Sequence, residues 1–230
     1  MTFNRSRGHM AYALTAALLL CGCATTDKSP IDDMSTQDGL VRVDIKGLDS
    51  AYKRPNANLT GYDKILLRPL TVSFASNWKP ERDSSSALYH MTPPDREKIK
   101  KDLADAFADV FREVLQEKGG YQLVAEPAED VLEVQSAIIN LYITAPDVSR
   151  QTAGMTRVYT SDAGEMTLVT QLHDSVTGQL LSRVYDRRDD TGGMWQWTTS
   201  VSNGADARRE IRSWAELLKK ALDASRGKTG

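Results

Sequence analysis

The sequence predicts an α/β fold of the α+β kind, a two-layer sandwich in which a mixed sheet of about five strands carries two long helices on one face. Two segments place apolar residues along one stripe at helical spacing, so each helix needs a sheet to cover. Before and between them lie short apolar runs bounded by turn residues, which is the pattern of strands. The order strand, helix, three or four strands, helix leaves one core of ordinary size, with no internal repeat and no second linker.

Leu40 to Ile45 alternates and reads as a short edge strand or an extended segment lying on the domain. Lys64 to Phe74 is a stronger strand, and its Pro69, lacking an amide proton, demands an edge, a bulge or a strand end. Thr92-Pro93-Pro94-Asp95 opens a helix: a capping hydroxyl, prolines in the first turn and an acid three residues on. Ile99, Leu103, Phe107, Val110 and Val114 form its stripe, and Gly119-Gly120 ends it. Tyr121 to Ala125 reads as a strand. Val131 to Thr144 is read as a central strand for its β-branched content, with a helix over Val131 to Leu141 as the competing reading because the apolar positions also fit a period of 3.6.

Met166, Leu168, Thr170 and Leu172 then alternate, Asp174 to Gly178 turns, and Leu180 to Val184 returns as the second arm of a hairpin. The last helix is expected to start at Asn203-Gly204-Ala205-Asp206, with Ala207, Ile211, Trp214, Ala215, Leu218 and Leu222 as its buried stripe. Strand directions alternating from the first crossover place the loops after residues 144 and 187 at one end of the sheet. They place the loop between Ser76 and Met91 at the other.

Of the 230 residues 40% are hydrophobic and 26% charged, with a net charge of −2 and a mean hydropathy of −0.43. That balance excludes a disordered chain and a multi-span membrane protein, and it offers no electrostatic reason to seek nucleic acid. The first residues are different in kind. Arg5 and Arg7 precede the apolar run Ala11 to Leu20, a charged region followed by a hydrophobic one of secretory length. Leu20-Cys21-Gly22-Cys23 then sets an aliphatic residue at −3, a small one at −1 and a cysteine at +1.

This resembles the bacterial lipobox, which implies acylation of Cys23 and cleavage between Gly22 and Cys23. Using Cys21 instead would put Leu20 at −1, a poor fit, and a plain signal peptide with incidental cysteines is the alternative. The resemblance divides the chain into a signal peptide over 1–22, a lipidated tether over 23–39 and one periplasmic domain over 40–226. Two or three acyl chains hold such a protein on its membrane for practical purposes permanently. The same resemblance implies that an aspartate after the cysteine would retain the protein in the inner membrane, so Ala24 there favours the periplasmic face of the outer membrane of a Gram-negative cell. With Cys23 acylated, no cysteine is left for a disulfide.

The lipobox, Tyr62 to Leu67, Asp130 to Val134, Asp174-Ser175-Val176-Thr177-Gly178-Gln179 and the closing Trp214-Ala215 helix together resemble the bacterial lipoprotein family of domain of unknown function 3313. The likeness covers most of residues 20–225. It implies an address and a fold, and no reaction.

Catalytic chemistry is not legible. The mature chain has two histidines, His90 and His173, too few for a transition-metal site, and there is no nucleophile elbow and no glycine-rich phosphate loop. No cofactor is expected beyond the covalent lipid on Cys23. The residues singled out for binding are Arg150 and Tyr159 in the 145–164 segment and Trp195 and Trp197 in the 188–203 segment. Loops this long are uncommon in a compact domain unless they bind something, fold locally or stay mobile, and these side chains are the types enriched at interfaces. The alternative for both tryptophans is that they tuck over the sheet edge. The expected function is a non-catalytic binding or accessory module of the cell envelope, anchored by its lipid, with an envelope protein or peptidoglycan as partner. The rivals are an envelope hydrolase using His90 and the nearby serines, and a carrier of a small apolar ligand, which requires a cavity between sheet and helices.

Overall fold

The computed structural model describes residues 30–79, 92–143, 165–189 and 200–228. In chain order these form α1 (Pro30–Gln37), β1 (Val41–Val43), β2 (Ser50–Lys53), β3 (Lys64–Leu67), β4 (Thr71–Phe74), α2 (Pro93–Phe111), β5 (Gln122–Leu123), β6 (Val131–Tyr142), β7 (Glu165–Asp174), β8 (Leu180–Asp189) and α3 (Ser200–Ser225). A π-helical stretch, Arg112–Lys118, continues α2 to its glycine end. The class is as expected, a mixed α/β structure. The sheet is larger than expected, with eight strands in the order β1-β2-β8-β7-β6-β3-β5 and β4 also on β6.

The extra strands have separate causes. Pro69 breaks the Lys64–Phe74 run in two. Both halves pair in parallel with one edge of β6, Lys64 to Leu67 against Val131 to Val134 and Thr71 to Phe74 against Ala137 to Leu141. The missing amide of Pro69 thus falls between two ladders. β2 is a four-residue strand with no alternation to announce it, recruited by antiparallel pairing with β8 and β1. Val131–Tyr142 is a strand, which decides the competing reading.

Ten-residue β7 and β8 form the expected hairpin. Its turn is built by the Asp174 carboxylate, which accepts from the backbone N–H of Val176 (3.1 Å) and Thr177 (2.7 Å), from the Thr177 hydroxyl (2.8 Å) and from Tyr62 Oη (2.7 Å). Gly178 closes it at φ +68°. The segments quoted for the family resemblance meet here: besides Tyr62 on Asp174, Lys64 pairs with Asp130, and the Asp63 and Lys64 amides donate to Asp130 O.

Leu103, Phe107 and Val110 of α2 are buried as the stripe requires, and Ile99 is partly buried against them. The π-helical register adds Val114 and Leu115, so the buried face continues to the helix end. α3 begins at Ser200, before the cap expected at Asn203. Its stripe, Ala207, Ile211, Trp214, Ala215 and Leu222, buries enough apolar surface to outweigh the roughly 1 kcal/mol that Gly204 costs within a helix. Both long helices meet Leu132, Val134, Ile138, Leu168 and Leu172 in one core. Residues 30–37, within the segment expected to be a tether, form α1 instead. There Ser35 is fully buried and bonds Arg183 (3.3 Å), while Tyr52 Oη donates to Asp32.

β6, β7 and β8 pair antiparallel with Tyr142 opposite Glu165 and Glu165 opposite Asp189, so the segments after β6 and after β8 leave from the same end of the sheet, as expected. The loop between Ser76 and Met91 was expected at the opposite end, and that expectation fails. β4 runs parallel to β6 with Phe74 beside Leu141, and Ala75 N–H donates to Leu141 O (3.0 Å). A strand–helix–strand crossover returns the chain parallel rather than alternating, which brings the start of this loop to the same end as the other two. Trp78 closes that end, stacked on Phe74 at 4.3 Å and donating Nε1–H to Ile143 O (2.9 Å).

Candidate functional site

Along the outer flank of α3 the helices and the sheet do not close on one another. An open apolar groove of about 410 Å³ lies there. Leu168 and Leu172 of β7 and Leu181 and Val184 of β8 line it from the sheet, Leu217, Leu218 and Ala221 from α3, and Val43, Ile45 and Leu48 from β1 and the turn after it. Strand alternation puts Leu168, Thr170 and Leu172 on the helix side of β7, and Val184 and Asp186 on the helix side of β8. The β1–β2 turn is held close by Arg188, whose guanidinium donates to Gly47 O (3.0 Å). At Gly47 a side chain would reach Leu217 at 3.7 Å, and φ is +95°.

The polar groups of the lining are mostly committed elsewhere. Thr170 Oγ1 shares a hydrogen bond with Ser136 Oγ (2.9 Å), Ser182 Oγ donates to Tyr52 O (2.8 Å), and Ser225 Oγ donates to Leu222 O (2.7 Å). Lys53, exposed at the end of β2, is the charged member. A cleft of this size, apolar within and carrying one cation at its rim, falls in the range of small-ligand sites.

Trp214, at the inner side of the groove, is braced by buried charge. Its Nε1–H donates to Asp186 at 2.6 Å, and Asp186, 2% exposed, also accepts from Arg188 Nε (2.7 Å) and the Asp49 amide (3.2 Å). Burial holds the Asp186 carboxyl above its ordinary pKa despite these donors. Glu210, 3.3 Å from the same Arg188, is raised for the same reason.

The other face of the sheet is polar. Arg68 pairs with Glu133 at 2.9 Å, the principal cause holding that carboxyl below its usual range. Glu133 lies opposite His173 in the ladder. Gln171 accepts from Arg183 at 3.0 and 3.1 Å and donates to His173 Nε2 at 3.3 Å once its amide is oriented to satisfy both. Arg183 reaches on to Asp38 at 2.7 Å. His173 is therefore a member of a cross-strand hydrogen-bonded row, half-buried on the hairpin.

Among the described residues no group of three His, Cys, Asp or Glu is placed to hold a metal ion, and no helix is long and apolar enough to cross a membrane. Gly22 and Cys23, the His90 loop, and Arg150, Tyr159, Trp195 and Trp197 lie outside the described residues. The groove was not anticipated in position. Its signal in the sequence is Leu217 and Ala221, which widen the apolar side of α3 beyond the Leu218 and Leu222 stripe, together with the run Val43, Ile45, Leu48.

No curated protein matches the sequence. Among solved structures, the chain is similar to the PelC dodecamer from Paraburkholderia phytofirmans, with a TM-score of 0.35 and 14% identity over 74% of this chain and 96% of that one. It is similar to a candidate lipoprotein from Caulobacter crescentus CB15, with a TM-score of 0.32 and 10% identity over 75% of this chain and 97% of that one. It is also similar to the protein CT253 from Chlamydia trachomatis, with a TM-score of 0.36 and 9% identity over 70% and 98%. Likeness of this degree carries no role across. The model of a protein family of unknown function, DUF3313, matches residues 37–218, which spans the sheet, all of α2 and α3 as far as Leu218: the chain belongs to the DUF3313 family.

Proposed function

We propose that this protein is a lipid-anchored, non-catalytic accessory module of the Gram-negative envelope, and that its folded part binds an apolar chain in the groove beside α3. The groove carries this reading, because a filled interlayer core would have left such a ligand nowhere to go. The lipobox supplies the address, Cys23 carrying the acyl groups at the periplasmic face of the outer membrane.

A methylene occupies about as much space as a water molecule, roughly 30 Å³, so the cleft suits a chain on the order of a dozen carbons. At about 0.8 kcal/mol per methylene the transfer term is roughly 10 kcal/mol. An association cost near the low end, about 4 kcal/mol, leaves a dissociation constant on the order of tens of micromolar. The test uses the mature chain, residues 23–230, with Cys23→Ala so that no attached lipid competes. Dansylated undecanoate is titrated into it and into the same chain with Ala221→Trp, which fills the groove from an exposed helix position. Saturable binding that weakens at least tenfold in the filled variant is expected. Equal binding to both chains refutes the site.

A second reading has one observation in its favour. The ends of β4, β6 and β8 lie together, so the segments carrying His90, Arg150, Tyr159, Trp195 and Trp197 all depart from one end of the sheet. We propose that this end contacts an envelope protein or polymer. Pull-downs from crosslinked envelopes should lose partners with Trp195→Ala/Trp197→Ala, and an unchanged partner set removes the reading.

A further inference from the structure

We propose that the ligand of the groove is a single-chain carboxylate, a fatty acid, whose head group is selected by Lys53. This rests on the groove being a binding site and adds the chemistry of the head.

Four polar residues line the cleft: Lys53, Thr170, Ser182 and Ser225. The hydroxyls of the last three are engaged inside the protein, on Ser136, Tyr52 O and Leu222 O. Lys53 is the remaining donor, and no carboxylate among the described residues forms an ion pair with it. Cations around it are treated differently by the fold. Arg42 meets Asp32 (3.2 Å), Arg183 meets Asp38 (2.7 Å), and Arg54 donates to Leu180 O (2.6 Å) and Asp38 O (2.9 Å). Lys53 stands in register with Val41 of β1 and Ser182 of β8, at the boundary between the apolar lining and water.

The lining contains no acid. An apolar chain laid against Leu181 and Leu218 therefore ends beside one uncompensated positive charge. One ammonium with no further donors matches the charge of a carboxylate, whereas a phosphate head calls for a cluster of donors. The charge is exposed, so its effect on affinity is modest, about fivefold, and it falls as salt is added.

The experiment is calorimetric titration of the mature Cys23→Ala chain with decanoate, decan-1-ol and decylammonium, each below its aggregation concentration, repeated with Lys53→Met, Lys53→Glu and Ala221→Trp. Decanoate should bind about fivefold tighter than decanol and tighter still than decylammonium. Lys53→Met should remove the difference between acid and alcohol while leaving the alcohol unchanged, and Lys53→Glu should turn the order toward the amine. Equal affinity for decanoate and decanol in the parent chain overturns the selection by Lys53. So does an equal loss for all three ligands in Lys53→Met. If those outcomes occur while Ala221→Trp still abolishes binding, the groove stands and only the head-group assignment falls. If no ligand binds, or Ala221→Trp binds all three unchanged, the groove reading itself is lost.

Discussion

Trp214→Phe should destabilise the protein strongly at neutral pH and less in mild acid. The indole fixes the inner side of the groove through one hydrogen bond, Nε1–H to Asp186 at 2.6 Å, and the acceptor is a carboxylate almost wholly out of solvent. Phenylalanine keeps the apolar contact with Ile211 and the sheet but removes the donor. Hydrogen bonds to a charged group contribute about 1.5–3 kcal/mol. The lost ring volume adds a cavity term of the order of 1 kcal/mol, so a loss of roughly 3–4 kcal/mol is expected at pH 7. Arg188 and the Asp49 amide remain as donors, and this keeps the loss from being larger.

The pH dependence follows from the direction of the shift. Burial raises the pKa of Asp186 in the folded state, so the folded protein holds a proton there that the unfolded chain has released. Between the raised folded value and the ordinary carboxylate value, stability contributed by this site therefore rises as pH falls. Once the carboxyl is protonated, a missing indole donor costs only a neutral hydrogen bond. The difference between wild type and Trp214→Phe should shrink, by about 1 kcal/mol or more, as pH falls from neutral toward the ordinary carboxylate pKa of about 4. Urea unfolding followed by far-ultraviolet circular dichroism measures it without relying on the altered fluorophore. An identical difference at both pH values would show that packing alone, and not the buried charge, explains the indole.

Tyr62→Phe should cost about 1 kcal/mol in urea unfolding by removing one of the donors on Asp174. Asp174 is held below the usual carboxylate range first by the Thr177 amide and then by Tyr62. Its stabilising contribution is present above the unfolded pKa and fades as pH falls through the folded one, so in the variant that fading starts at higher pH, as carboxyl titration by NMR would register. Cys23→Ala should leave the protein without acyl groups and with residues 1–22 still attached by mass spectrometry, because the lipobox reading makes acylation of Cys23 the step before cleavage. Acyl groups on the variant, or cleavage after Gly22 without them, would refute the anchor.

What could be read in the sequence was whatever is local. The α2 stripe, the break at Pro69, the Asp174–Gly178 turn and the strand at Val131–Tyr142 each depend on residues within one element, and each is present. β2 and α1 were not legible because Ser50–Lys53 and Pro30–Gln37 have little pattern of their own. They are ordered by distant partners, β8 for the first and Arg183 and Tyr52 for the second. The direction of β4 was missed for a related reason, since pairing partner rather than sequence order decides it. The groove combines residues 43–48, 168–184 and 214–225, a juxtaposition that only the finished sheet creates.

The place of the groove follows from widths. Seven strands side by side, about 4.8 Å apart, make a sheet roughly 29 Å across. Two packed helices about 10 Å in diameter cover roughly 20 Å of it. α2 with its π-helical end lies toward β3, β4 and β5, and α3 lies beside it, so the uncovered width falls on β2 and β1. β1 falls where the Leu40–Ile45 segment was expected at the edge, and β2 is the unexpected strand that joins it to β8. β1 and β2 therefore do more than extend the sheet. With the turn between them they supply the outer side of a cleft whose inner side is α3, and with Val41 51% exposed, that flank presents apolar surface to solvent. Val43, Ile45 and Leu48 on that flank line the cleft opposite Leu217 and Leu218 of α3, and Lys53 stands at its rim.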